Sequence, residues 1–225
     1  MISIIIPVFN EMNTINKTIE SICQSQKNTD FEIIVVDADI QEKTLKVIEN
    51  TNVKKITSPK GRSKQMNKGV DISLGSILLF LHADTELPEN ALKKIADFMN
   101  KETYVGGAFD LYINSQKKIY RFIEAVASIR SRITKIPYGD QAVFIKKEYF
   151  LEIGGFPDFP LMEDVELMLK IKKARKKIII FPEKVKTSSR RWEKEGVVYC
   201  TLRNWLLVTM YYLGVHPDKL VNFYK

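Results

Sequence analysis

Carboxylates recur in this sequence at one kind of place, just beyond a strand-like apolar run. Pro-Val-Phe-Asn-Glu closes the run at 2–8 and Val-Val-Asp-Ala-Asp closes the one at 32–36. His-Ala-Asp-Thr follows 77–81, and Met-Glu-Asp follows the Gly154-Gly155 pair. Acids at the carboxyl ends of parallel strands lie where open α/β sheets bind ligands. One such acid says little. Several in this order suggest a site for a metal-bound nucleotide diphosphate, because concentrated phosphate charge calls for a divalent cation with oxygen ligands.

These motifs need elements to position them. Continuous apolar runs at 2–8, 32–36, 53–57 and 77–81 predict fully buried strands. They alternate with helical patterns at 14–26, 41–50, 61–74 and 88–100. Ile15, Ile19 and Ile22 keep helical spacing in the first, and Pro88 stands near the first turn of the last. That alternation predicts a parallel, doubly wound α/β sheet. Beyond residue 100 the rhythm changes. Strands are expected at 105–113, 142–145 and 178–181, and helices at 117–134, 165–174 and 197–213. No linker or repeat divides the 225 residues, so one domain is expected. Its 1–100 half would bind a nucleotide, and its 101–225 half would shape the second substrate site.

Composition narrows the class. With 45% hydrophobic and 28% charged residues the chain can bury one sizeable core. Cys23 and Cys200 lie far apart, without Cys-x-x-Cys spacing, and read as reduced, buried residues of a cytosolic protein. The first strand begins at residue 2, so no leader peptide is expected ahead of the fold. The net charge of +8 is local: residues 168–195 carry eight Lys and three Arg against three Glu. Such a stretch is either a solvated helix face or an attractor of anions such as diphosphate or anionic lipid. No nucleic-acid-binding motif accompanies it, and nucleic acid is not an expected partner.

The ordered motifs resemble the family 2 glycosyltransferases of the GT-A fold, over nearly the whole chain. GRSKQMNKG at 61–69, YGDQAVFI at 138–145, GGFPDFPLMEDVEL at 154–167 and SSRRWEKEG at 188–196 are similar to one bacterial subgroup of small, stand-alone members. The resemblance implies an α/β fold of the nucleotide-diphospho-sugar transferase type, a mostly parallel sheet flanked by helices. It also implies inverting transfer of a sugar from a UDP- or GDP-sugar to an acceptor hydroxyl, the acceptor itself not being readable. Asp84 matches the last position of the family's Asp-x-Asp motif, with His82 in the first and Ala83 between. One carboxylate would then hold Mg²⁺ or Mn²⁺ together with phosphate and water, and His82 tilts the preference toward Mn²⁺.

Asp164 matches the family's catalytic base, with Glu163 beside it and Asp140 as the next acid able to serve. The alternative for Asp164 is a helix cap. Pro7, Asn10, Glu11, Asp37 and Asp39 match the base and ribose site, although the family usually has Gly where Asp39 stands. Gly61 and Arg62 suit phosphate. Asn67 is divided between donor contact and a plain helix position, and Gln65 reads as the latter. Arg191-Trp192 matches the end of the Gln-x-x-Arg-Trp motif of processive members, with Ser188 in place of Gln. Arg191 would neutralise diphosphate and Trp192 would stack on a sugar or pack in the core. Gln141 completes the expected acceptor side.

The stretch 196–215 is the most membrane-like, but Arg203 and Asn204 interrupt it and it is too short to span a bilayer. Trp205, Leu206, Tyr211, Tyr212 and Leu213 allow it to lie on a membrane beside the basic segment 170–177, to pack in the core, or to meet a second copy. The expected location is cytoplasmic, at the inner face of the membrane if that helix meets lipid. Two rival readings remain. A sugar-phosphate nucleotidyltransferase would carry a Gly-rich, Arg-bearing loop after the first strand, where Pro-Val-Phe-Asn-Glu stands instead. A catalytically idle nucleotide-sugar-binding module would fit the incomplete Asp-x-Asp.

Overall fold

A computed structural model describes residues 1–26 and 29–224. The strands are β1 (Ile2–Val8), β2 (Phe31–Asp37), β3 (Lys54–Thr57), β4 (Ile77–Phe80), β5 (Thr85–Glu86), β6 (Tyr104–Asn114), β7 (Phe144–Lys146) and β8 (Lys177–Ser188). The helices are α1 (Ile15–Ser25), α2 (Lys43–Lys46), α3 (Arg62–Asp71), α4 (Ala91–Met99), α5 (Lys118–Thr134), α6 (Lys147–Glu152), α7 (Glu163–Lys173), α8 (Arg190–Glu195), α9 (Val197–Tyr212) and α10 (Pro217–Leu220). All eight strands form one sheet in the order β3-β2-β1-β4-β7-β6-β8-β5.

The first four strands are mutually parallel, as the alternating pattern predicts. Then β7 enters antiparallel between β4 and β6, β8 runs parallel to β6, and β5 closes the far edge antiparallel to β8. The sheet is therefore mixed beyond β4. Strands of both halves interleave: β5, from the first hundred residues, pairs only with β8, from the last fifty. Neither half has a sheet of its own.

Strand periodicity divides the core into two layers. Ile4, Ile6, Val8, Ile33 and Val35 join the layer under α1 and α4, while Ile5, Ile34 and Val36 join the layer under α3, α7 and α9. Both faces of β1 are covered, so its apolar run is continuous and does not alternate. Ile15, Ile19 and Ile22 of α1 are buried at the spacing that predicted them. Each fully buried Ile or Leu contributes about 1.5–3 kcal/mol relative to exposure. Those central contacts are what hold the strand ends, and the loops they carry, in place.

Several boundaries differ from the sequence reading. The helix expected at 41–50 is a single turn, Lys43–Lys46; Ile48 beyond it is buried, but in a turn, its N–H donating to the Leu45 carbonyl. The strand expected at 178–181 runs on to Ser188. Its register against β6 slips between the Phe109–Phe181 and Asp110–Lys184 pairs, so Pro182 and Glu183 bulge out of the ladder, as proline requires. Pro88 precedes α4, whose N-cap is Asn90 at φ 56°. Cys200 is buried but Cys23 is exposed, on the solvent side of α1 and not in the core as expected.

Candidate functional site

The carboxyl ends of β1, β2 and β4 share one edge, and their loops are tied down by polar side chains. Gln65 of α3 is buried and donates through Nε2 to the carbonyls of Val8 and Val36, both at 2.8 Å. One amide thus holds the last turns of β1 and β2. Thr18 of α1 donates to the Ala83 carbonyl at 2.6 Å, which fixes the His82-Ala83-Asp84 loop. Asp37 is fully buried, and its two oxygens accept from Asp39 N at 2.9 Å and Thr44 N at 3.2 Å. Its carboxylate binds the loop that follows β2. Asp39 accepts from Gln41 N through Oδ1, while its Oδ2 is shielded from solvent with no hydrogen-bond partner.

Two residues expected on the substrate side are committed to the scaffold. The Asn67 amide spans Phe156, donating to its carbonyl at 2.8 Å and accepting its N–H at 3.1 Å. That clamp sets the Gly-Gly-Phe-Pro loop against α3 and leaves the Asn67 side chain no free end for a donor. Gln141 is buried. It donates to Phe109 O at 2.9 Å and accepts from Tyr138 N and from Arg130 Nη2, both at 3.2 Å. It shapes the Gly139–Gln141 turn from behind and does not face an acceptor.

At the mouth of that turn a charged cluster forms. Asp164, the second residue of α7, accepts from Gly139 N through Oδ2 at 2.6 Å and from Val165 N through Oδ1 at 2.8 Å. The N-cap position belongs to Met162, at φ 69°, so Asp164 is not the helix cap that competed with the catalytic reading. A Cβ on Gly139 would lie 3.2 Å from Asp164 Oδ2 and 3.5 Å from His82 Nε2, so glycine lets these three groups converge. Glu163 is buried and ion-paired to Arg62 Nε, while Arg62 Nη1 lies 3.4 Å from His82 Nε2. The expected phosphate ligand, Arg62, already has a carboxylate partner.

Electrostatics follow from this packing. Burial and the Arg62 cation push His82 from its ordinary 6.5 down to about 3, so the ring is neutral at pH 7. Nε2 then accepts from Arg62, which leaves the proton on Nδ1. Burial works against the Arg62 charge, but Glu163 and Asp164 outweigh it and hold the guanidinium more firmly protonated. Burial raises Asp140, opposed by Arg130, and raises Asp84, opposed by Arg190.

Arg190 is the group that the motif comparison passed over. Its Nη2 lies 2.8 Å from Glu11 Oε1 and 3.7 Å from Asp84 Oδ2, joining the loop after β1 to the loop after β4. No sequence pattern marked it, since its partners are distant in sequence. Its neighbour Arg191 turns the other way, onto Glu195 and the Tyr224 ring. Trp192 packs edge-on against Tyr120, centroids 6.1 Å apart, and also lines a cavity of about 210 Å³. Asp84, Asp140 and Asp164 line that cavity's polar side. Leu161, Leu207 and Val208 line its apolar side, with Asn204 among them. Of the remaining expected residues, Pro7 lines a separate, smaller pocket together with Arg62, His82 and Asp164. Asn10 is an exposed residue at φ 58°, and Gly61 caps α3 at φ 140°.

A carboxylate-lined cavity at the carboxyl edge of a mostly parallel sheet flanked by helices is the arrangement of a GT-A-type α/β fold. Residues 3–156 match the family model for glycosyl transferase family 2, and the chain belongs to that family. An uncharacterized glycosyltransferase of Haemophilus influenzae is 26% identical over 184 residues, covering 76% of this chain and 62% of that protein. The Staphylococcus aureus poly(ribitol-phosphate) beta-N-acetylglucosaminyltransferase TarP is 30% identical over 105 residues, 43% of this chain and 32% of its own length. The chain thus spans less than two thirds of these relatives. Among solved structures, residues 1–349 of S. aureus TarS in complex with UDP superpose with a TM-score of 0.68 at 19% identity, covering 83% of this chain and 60% of that one. A Pyrobaculum calidifontis mannosyltransferase in complex with GDP-Man and Mn²⁺ gives 0.67 at 19%, covering 82% and 56%.

Proposed function

We propose that the chain is an inverting glycosyltransferase that uses a nucleotide-diphosphate sugar, with Asp164 as the base. The observation that carries this reading is the setting of Asp164. Both of its oxygens are oriented by backbone N–H groups, and it faces a cavity that Asp84, Asp140, Arg62 and Arg191 also line. In the step this supports, the acceptor oxygen bonds to the anomeric carbon as its proton passes to the Asp164 carboxylate. The nucleoside diphosphate leaves from the opposite face. Arg190 and the loops it joins stand on the donor side. Solved relatives of the fold bind UDP or GDP-Man, which supports a uridine or guanosine diphosphate sugar as donor.

The residues fit a divalent cation in a limited way. No group of three or more His, Cys, Asp or Glu among the described residues forms a metal cage. Asp84 nevertheless offers a hard oxygen ligand whose charge is disfavoured by burial, with Glu11 alongside it on the same guanidinium. A single carboxylate, with phosphate and water completing the shell, is how Mg²⁺ or Mn²⁺ is held with nucleotides. Bound there, the cation would neutralise the departing diphosphate. Release of UDP or GDP from a panel of nucleotide-sugars, with and without Mn²⁺, tests the reading. Tight donor binding without any release would instead identify an idle binding module.

A further inference from the structure

Two helices of the carboxyl half present apolar stripes to solvent. On α5, Ile119, Phe122, Ile129 and Ile133 are exposed, Phe122 to 63% and Ile133 to 76%, at spacings that place them on one helix face. On α9, Val198, Leu202, Trp205 and Leu206 do the same, and Leu213 beyond its end is 79% exposed. These helices carry most of the large apolar side chains exposed among the described residues. A soluble protein rarely leaves so much contiguous apolar surface uncovered.

The stripes border the site. Three residues link the end of β6 to α5, and three link α5 to Tyr138 at the cavity, so both ends of α5 stand at the substrate edge of the sheet. Cys200, Asn204, Leu207 and Val208 on the inner side of α9 line the cavity, and the stripe is its outer side. Trp192 of α8, the short helix that leads into α9, packs on Tyr120 of α5.

Charge identifies the occupant. Residues 117–135 carry six cations against Glu124 alone; Arg121 pairs with Glu124, Arg132 with Asp110, and Arg130 stacks on Tyr138, while Lys117, Lys118 and Lys135 make no ion pair among the described residues. A two-fold contact between copies through this face would set one such cationic segment against another, which is repulsive. An anionic bilayer supplies the opposite charge and takes the apolar side chains. No helix among the described residues is long and apolar enough to cross a membrane, so the contact would be peripheral.

The basic segment 170–177, the stronger candidate from sequence, is elsewhere. Strand β8 begins at Lys177 and ends at the cavity residue Ser188, so Lys177 stands at the edge of the sheet opposite the cavity, and α7 leads from the cavity residue Asp164 away toward it. We propose that α5 and α9 form a docking surface for an anionic lipid bilayer, which would place the cavity beside Asp164 at membrane level. The proposal does not depend on the transfer reaction, and neither does its test.

Co-sedimentation of the full chain with vesicles of equal parts phosphatidylglycerol and phosphatidylcholine, against phosphatidylcholine alone, is that test. The anionic vesicles should bind the protein at low salt. A double variant, Phe122→Ser with Leu202→Ser, should weaken binding roughly tenfold or more, because two apolar anchors are lost. Lys172→Gln with Lys173→Gln should bind like the parent. In a Trp192→Phe background, Trp205 is the single tryptophan, and its emission should shift to the blue on anionic vesicles. Melting curves must show that the variants fold. Absence of binding at low salt would overturn the proposal. So would binding that survives the apolar double variant, or a dimer in sedimentation velocity that Phe122→Ser dissolves.

Discussion

Residues 1–100 and 101–225 treat their polar side chains differently at the same sheet edge. In the first half, Gln65 holds two strand ends, Asp37 binds its own loop and Thr18 fixes the Asp84 loop. These are closed local circuits. In the second half, burial disfavours the ionised Asp140 against the pull of Arg130, and an Asn204 oxygen lies buried without a partner. The first half uses these groups to fasten its strand-end loops, and the second half turns Asp140, Asp164 and Asn204 toward the cavity. The difference teaches which acids are free to act: position after a strand did not separate Asp37 from Asp84, but hydrogen bonding does.

Asp164→Asn should break the comparison most severely. Transfer should fall about 10²–10⁴-fold, the usual contribution of a general base. Donor affinity and melting temperature should stay near the parent values. Turnover close to wild type would move the base to Asp140 or Glu163. Asp84→Ala comes next, with Mn²⁺-dependent affinity for UDP or GDP down at least about tenfold by calorimetry, as loss of a charged ligand to the cation predicts. Unchanged affinity would take Asp84 out of the metal site.

Gln65→Ala should act on the platform alone. Loss of the amide that bridges the Val8 and Val36 carbonyls should cost about 1–3 kcal/mol in denaturant unfolding, the Val8 carbonyl keeping its bond from Ala38 N. Asn67→Ala should cost about 1–3 kcal/mol by the same reasoning. A variant of either residue that loses donor affinity without losing stability would return that side chain to the binding site.

A further effect is one of pH. His82 has its folded value depressed from 6.5 to about 3. Between those values the unfolded chain binds more protons than the native one, so stability should fall as pH drops from 6.5 toward 3. His82→Gln should flatten that part of the stability profile. An unchanged profile would mean that His82 is not held neutral by Arg62 and burial.

Much of the platform was legible from residues alone. Runs such as Ile2–Val8 predict buried strands because both faces of a parallel strand are covered, and Ile15, Ile19 and Ile22 mark the inner face of α1. The motifs after those runs named the edge where the site lies, and with them Asp84 and Asp164. The bulge at Pro182 hid half of β8, since its proline interrupts the pattern that marks a strand. Strand β5 was hidden because two residues are too few to carry a period.

The sequence by itself determined the central strands, the flanking helices and the list of acids at the edge, because these depend on local periodicity and near neighbours. Only the tertiary structure decided which polar groups were already engaged. Asn67 meets Phe156, Arg62 meets Glu163, and Arg190 meets both Glu11 and Asp84 across more than eighty residues of chain in each case. It also decided that the apolar faces of α5 and α9 look outward beside the cavity, while the basic segment 170–177 lies at the opposite edge. A hydrogen bond or an exposed face is a relation between distant segments, and no local pattern of residues encodes it.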